Sequence, residues 1–431
     1  MEAILSEVDY FARDAIQLAQ VNEFVRKFGT GQTIVQGAPI EFYVRGADGL
    51  SIDLNNSLVE VKVKLTKDDA TDIGVDDVVG PVNDLFNSLF STVELEVAGV
   101  LVTEPNTKYP YRAMIENLIN YGKDVQDTRL LCEGWTKDTS GQMGITDPTG
   151  DNAGLKTRTT WFTLSKTVTL CGRPHLDHFH QEKLIPPSVD LKLRLVPNSH
   201  KFLLKTKAGT QAAPQVNYKV QIVSANFIVQ TKVFSPSFLM AQEKLLQTNN
   251  FVLPMNKVDP KTLMLPTGTS QIEFDNVYQG KLPDLVTLAF VADADMAGGY
   301  QNNPFNFQNF GVNYLAMQAN GDLVPRIPYQ PNFTTGDYIS DYLTVMRALG
   351  QDNGPNCWNL TPTEWANGYN IYAFKLTPGP IGTVRSAARV GSVRLILKFA
   401  AATQANITVI MHSQQYGEHQ MDKYKTWIAI A

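Results

Sequence analysis

Two stretches of this chain, 222 residues apart, follow one plan. Thr92–Val102 reads TVELEVAGVLV and Tyr314–Val324 reads YLAMQANGDLV. Each is an alternating strand, a turn closed by Gly99 or Gly321, and then Leu-Val. A Phe/Asn-rich segment precedes each, NDLFNSLF (Asn83–Phe90) and NPFNFQNF (Asn303–Phe310). A helical pattern follows each, YRAMIENLIN (Tyr111–Asn120) and YISDYLTVMRAL (Tyr338–Leu349). A long alternating strand comes later in each half, Val189–Val196 or Ser392–Phe399. Four features recurring in one order read as a duplication, and a duplication at half the chain length means two similar domains in tandem. With 431 residues, each copy holds about 200, the size of an eight-stranded jelly roll with one large insertion. The expected fold is therefore all-β, two tandem eight-stranded jelly rolls with short helical insertions. The expected boundaries are an N-terminal arm over 1–37, the first roll over 38–240 and the second over 241–431.

The strands carry the β reading. LVEVKVKL (Leu58–Leu65) alternates apolar and charged residues with period two, the mark of a strand with one wet face. Ile40–Val44, Ser51–Leu54, Thr92–Val97, Tyr218–Val229, Asp284–Ala292, Val312–Ala319 and Ile407–His412 are further strands, punctuated by turn residues such as Ala98-Gly99 and Asn320-Gly321. In the arm, Val8, Phe11, Ala15, Leu18 and Val21 recur at helical spacing, and Phe11 and Leu18 are candidate contacts with this subunit or a neighbour.

Composition narrows the function. Charged residues are 18% and hydrophobic residues 43%, which excludes a disordered chain. Three scattered cysteines, Cys132, Cys171 and Cys357, form neither a disulfide framework nor a zinc cluster. The formal net charge of −5, with no run of basic residues, argues against specific nucleic-acid binding. Any nucleic-acid contact would need a local basic surface such as Arg26-Lys27, or a separate basic protein. The first residues carry acids where a signal peptide needs a basic start, so secretion by a signal peptide is not expected.

Three segments carry residues that could do chemistry. CGRPHLDHFH gathers His175, His178 and His180; as a strand it would aim His178 and His180 to one face. These are the candidate metal ligands, but H-x2-H-x-H is no established metal spacing, and a polar loop or subunit contact is the plainer reading. KDDATDIGVDD lacks the alternating oxygens of a calcium loop. Phe305, Phe307 and Phe310 lie among amides and are either core aromatics or a subunit interface. No nucleophile elbow or nucleotide motif occurs, so no catalytic residue, cofactor or enzymatic activity is expected.

Longer words in the sequence resemble a known family. APIEFYVRG (Ala38–Gly46), SIDL (Ser51–Leu54), VGPVNDLFNSLFSTVELEVAGVLV (Val79–Val102) and YPYRAMIENLINYG (Tyr109–Gly122) carry the resemblance in the first half, and VFSPSFLMAQEKLL (Val233–Leu246) at the junction. NPFNFQNFGVNYLAMQANGDLVPRIPYQPNF (Asn303–Phe333), YNIYAFKLTP (Tyr369–Pro378) and GSVRLILKFAAATQANITVIMHSQQYGEHQMD (Gly391–Asp422) carry it in the second. In order, they resemble the double jelly-roll major capsid proteins of polinton (Maverick) and adintovirus type elements, in the adenovirus–tectivirus capsid lineage. Leu131–Leu170 departs from the pattern and reads as a variable loop. The resemblance implies a homotrimeric, pseudo-hexagonal capsomer tiling an icosahedral virion, without catalytic residues. It implies neighbouring capsomers and a penton or minor capsid protein as partners, and leaves an internal membrane open. A domesticated copy in a host genome is a variant of that reading. The competing class is a carbohydrate-binding or carbohydrate-active β-sandwich, which would pair carboxylates in a cleft.

Overall fold

The structure is a computed structural model that describes residues 17–103, 108–209, 216–352, 357–377 and 387–430. Its first eight-stranded unit consists of β1 (Gln20–Gly29), β2 (Ile40–Val44), β3 (Leu50–Lys67), β4 (Phe90–Val97), β5 (Val100–Leu101), β6 (Val168–Gly172), β7 (Leu191–Pro197) and β8 (Tyr218–Phe234). These form two four-stranded sheets, β1-β8-β3-β6 and β2-β7-β4-β5. The second unit consists of β9 (Phe251–Leu265), β10 (Gln271–Lys281), β11 (Leu285–Ala292), β12 (Val312–Ala319), β13 (Asp322–Tyr329), β14 (Ile371–Lys375), β15 (Val390–Phe399) and β16 (Ile407–Met421). Its sheets are β9-β16-β11-β14 and β10-β15-β12-β13, with β17 (Trp427–Ile430) added to β16. Adding eight to each label of the first unit reproduces the second, and all these pairings are antiparallel. This is the double jelly roll.

The duplicated sequence words fall where that topology requires them. β12 begins and ends 222 residues after β4, and β13 begins 222 residues after β5. Both hairpins turn through two residues with positive φ, Ala98 at 51° and Gly99 at 76°, then Asn320 at 51° and Gly321 at 95°. Such turns match the right-handed strand twist, and glycine adopts them without strain. Each roll also places its helical insertion between its fifth and sixth strands. The first insertion carries α1 (Tyr109–Asn120) and α2 (Ala153–Trp161). Between the rolls runs α3 (Pro236–Leu246), and α4 (Ile339–Leu349) lies in the second insertion.

The core follows the alternation read from the sequence. In β3, Val59, Val61, Val63 and Leu65 are buried while Glu60, Lys62 and Lys64 face outward. β3 is one continuous strand; its register shifts where Ser57 Oγ donates to Asp53 O at 2.5 Å and accepts from Gln230 N at 3.1 Å. That bulge broke the alternation and made one strand look like two.

One expectation needs correction. The segment 1–37 is not all arm, because Gln20–Gly29 pairs with β8 as an edge strand of the first roll. The helical pattern therefore ends before Val21, and Val8, Phe11 and Ala15 lie outside the described residues. β9 carries Pro254 and Pro260, which obscure its strand pattern in the sequence. It lies at a sheet edge, where a missing N–H leaves no ladder partner unsatisfied.

Candidate functional site: the junction between the two rolls

Helix α1 leaves the first roll and is buried from Tyr109 to Ile119. Its polar residues therefore need partners inside the protein. Arg112 Nε donates to Glu116 Oε1 at 2.9 Å, and its terminal nitrogen reaches Asp177 Oδ1 at 2.6 Å. Glu116 meets His175 Nδ1 at 2.6 Å and, from the second roll, His412 Nε2 at 3.2 Å. Asp177 also accepts from Val258 N of β9 at 3.2 Å. Burial by itself would raise the Glu116 carboxyl, but Arg112 and the two histidines outweigh it and hold the group well below the usual carboxylate range. At Asp177 burial wins over Arg112 and raises the carboxyl.

A second histidine pair crosses the junction nearby. His178 Nε2 lies 3.0 Å from His419 Nδ1, and Trp427 Nε1 donates to the same nitrogen at 3.1 Å. Since the indole can only donate, His419 Nδ1 is an acceptor and His178 donates. Burial, then His419 and Arg112, push His178 down to about 3; burial and Lys257 push His419 down to about 4.

The rest of the junction combines aromatics and tethered amides. Tyr111 and Phe202 of the first roll meet Phe305 of the second, with ring centroids 5.6–6.1 Å apart in edge-to-face geometry. Tyr300 Oη accepts from Tyr218 N at 3.0 Å and donates to Tyr218 O at 2.9 Å. Buried Lys205 donates to Gly299 O at 2.9 Å, and burial pushes its amine down to about 7. The two helical insertions meet as well. Lys137 Nζ pairs with Glu364 Oε1 at 2.7 Å, Tyr369 Oη donates to Asp138 O at 2.9 Å, and Asn359 Nδ2 donates to Gln126 Oε1 at 2.8 Å. Gly368 has φ +104°, and a Cβ there would lie 2.4 Å from Met143 Sδ, so the close approach of the rolls demands glycine.

Several sequence expectations change here. Phe305 and Phe307 are buried within one chain and have no surface to offer a neighbour; Phe310 is partly buried against the same core. Phe305 and Phe307 are core aromatics, and Phe305 is the one that meets the other roll. Leu131–Leu170 packs into the fold: Trp135 and Arg158 are buried, and Arg158 pairs with Asp138 at 2.8 Å. His178 and His180 share no strand face, because Asp177–Phe179 is a short 3-10 turn. His178 turns into the junction, while His180 remains exposed beside the His175 ring at 5.3 Å.

Glu116, His175 and His180 bring ligand-type atoms within 4.8 Å of one another. Glu116 nonetheless has both oxygens engaged, by Arg112 and His412 on one and His175 on the other, so the cluster reads as a hydrogen-bonded clamp. Leu18 is exposed, and Phe11 lies outside the described residues. Lys27 pairs with Glu60 at 2.8 Å, and the Arg26 guanidinium lies over Phe28 at 5.0 Å. Sequence reasoning missed Arg112, Glu116, His412 and His419. The i,i+4 spacing of Arg112 and Glu116 in a largely apolar helix was the available signal.

No family model matches the chain. An uncharacterised protein of Caenorhabditis elegans is 23% identical over 330 residues, which is 76% of this chain and 74% of that protein. Among solved structures, a chain of the Sputnik virophage is similar with a TM-score of 0.67 and 12% identity, over 100% of this chain and 92% of its own. The Faustovirus major capsid protein matches at 0.56 and 9% identity, over 99% and 93% of the two chains. The mavirus major capsid protein matches at 0.54 and 10% identity, over 100% and 96%. At these identities the likeness is one of fold: the chain shares the double jelly roll of major capsid proteins along its whole length.

Proposed function

We propose that this chain is a major capsid protein that assembles as a homotrimer, and that the trimers tile an icosahedral virion as pseudo-hexagonal capsomers. The observation that carries the reading is the pairing of two jelly rolls of identical topology across a buried junction. Such a chain is one tile with two equivalent lobes, and three copies around an axis present six lobes, which approximates a hexagon with three chains. Major capsid proteins of other viruses share this fold over its full length. The polinton or adintovirus type is the finer assignment, with a penton or minor capsid protein as further partner. The nematode relative supports a second reading within the same class, a copy carried in an animal genome.

Size-exclusion chromatography with light scattering tests the proposal. The expected species has three times the 47.8 kDa chain mass, and negative-stain images of it show pseudo-hexagonal outlines. A protein that stays monomeric at every concentration overturns the reading.

A further inference from the structure

We infer that the apolar groove beside α3 is the docking site for residues 1–16 of the same chain. The groove encloses about 980 Å³ between α3, the end of β8, the start of β9 and the turn after β16. Pro187, Phe238, Met240, Leu245, Phe251 and Met421 line it. No residue of α3 is buried, and Met240 and Leu245 are 68% and 63% exposed. An 11-residue helix is marginal in water without packing, and an amphipathic one needs cover on its apolar side.

The chain itself supplies a cover at this place. Ser235, the residue before α3, donates its backbone N–H to Ala19 O at 2.8 Å, and Gln20 pairs with Phe234 at the groove edge. Residues 1–16, which lie outside the described residues, therefore join the described chain beside the groove. Their sequence has the matching pattern. Ile4, Val8, Phe11 and Ala15 recur at helical spacing and continue into Leu18, which is 80% exposed. Sixteen helical residues would span about 24 Å. Attachment through β1 gives the segment an effective concentration in the millimolar range, so a modest apolar contact suffices to hold it, and a second copy of the chain starts at a disadvantage. This inference goes beyond the capsid proposal and does not depend on it.

The test uses the full chain with a photo-crosslinking phenylalanine derivative at Phe11. The expected product is an intrachain crosslink to Phe238, Met240, Leu245 or Met421, mapped by mass spectrometry. Met240→Glu with Leu245→Glu is expected to lower that product at least tenfold, because both side chains line the groove. Ile327→Glu, at an exposed position outside the groove lining, is the control and should leave the yield unchanged. Crosslinks outside the groove, a crosslink joining two chains, or a yield indifferent to the groove variant would each overturn the inference.

Discussion

Replacing Arg112 with methionine is expected to destabilise the protein by about 3–5 kcal/mol at neutral pH, measured by chemical denaturation. The side chain fills similar space, so the effect is electrostatic. Arg112 is the cation between the Glu116 and Asp177 carboxylates, and all three side chains are at most 14% exposed. Removing it leaves two buried acids, with His175, His412 and one backbone N–H as their remaining partners. The pH dependence gives the idea its sharpest test. In the native protein Glu116 titrates below its unfolded value, so its contribution is complete above about pH 4.3 and fades as pH falls through the lower folded value. Without Arg112 burial dominates at Glu116 as it already does at Asp177, both folded values lie above the unfolded ones, and the folded state binds the extra protons. The penalty should then shrink as pH falls from 7 toward 5. Adding Glu116→Gln and Asp177→Asn to the variant should recover most of the loss. A penalty under 1 kcal/mol, or one that ignores pH, would sink the clamp.

The effect is large because α1 joins what the two rolls could not hold apart from it. Glu116 and Asp177 lie in the first roll's part of the chain, and their partners His412 and Val258 lie in β16 and β9. The clamp is therefore a device of the duplication, since each roll completes the other's buried polar groups. In β11 Leu285–Val291 are all buried, and only Thr287 interrupts the apolar run. A strand covered on both faces loses the alternation that marks a half-wet one.

Topology was legible in the sequence because a jelly roll repeats local signals: positive-φ turns at Ala98-Gly99 and Asn320-Gly321, and alternation in β3, β7 and β15. The edges were harder. β1 is exposed along most of its length, so QVNEFVRKFG shows no apolar face to read, and β9 hides behind two prolines. The junction was hardest, because burial there depends on how two folded units meet and not on a local period. Phe305 and Phe307 looked equally suited to a core or to an interface, since a contact between duplicated rolls has the composition of both. The histidines of CGRPHLDHFH were visible as a cluster, but His419, the partner of His178, lies 241 residues away in sequence, and His412 meets Glu116 across 296 residues.

That distant pairing makes the protein acid-sensitive through the junction. His178 and His419 are held neutral, with values near 3 and 4 against an unfolded value of about 6.5. A histidine whose folded value is depressed binds fewer protons when folded, so stability is full above about pH 6.5 and is lost as pH falls toward the folded value. For the fully buried His178 the loss is about 2 kcal/mol between pH 6.5 and pH 5, at about 1.4 kcal/mol per pH unit. The geometry explains why protonation finds no refuge. His419 Nδ1 already accepts from His178 and Trp427, and His178 Nδ1 is buried without a partner among the described residues. Both rings would need to leave the junction to charge. His178→Gln retains a donor for His419 without the titration, so the variant should lose less stability than the native chain over the same pH interval, while being weaker at pH 7.5. Equal slopes for the two proteins would place the acid sensitivity elsewhere. The expected slope difference also specifies what acid does: it separates the rolls at β16 and β17 first, since His419 and Trp427 both belong there, and hydrogen exchange at pH 5 should show those strands opening ahead of β3 and β8.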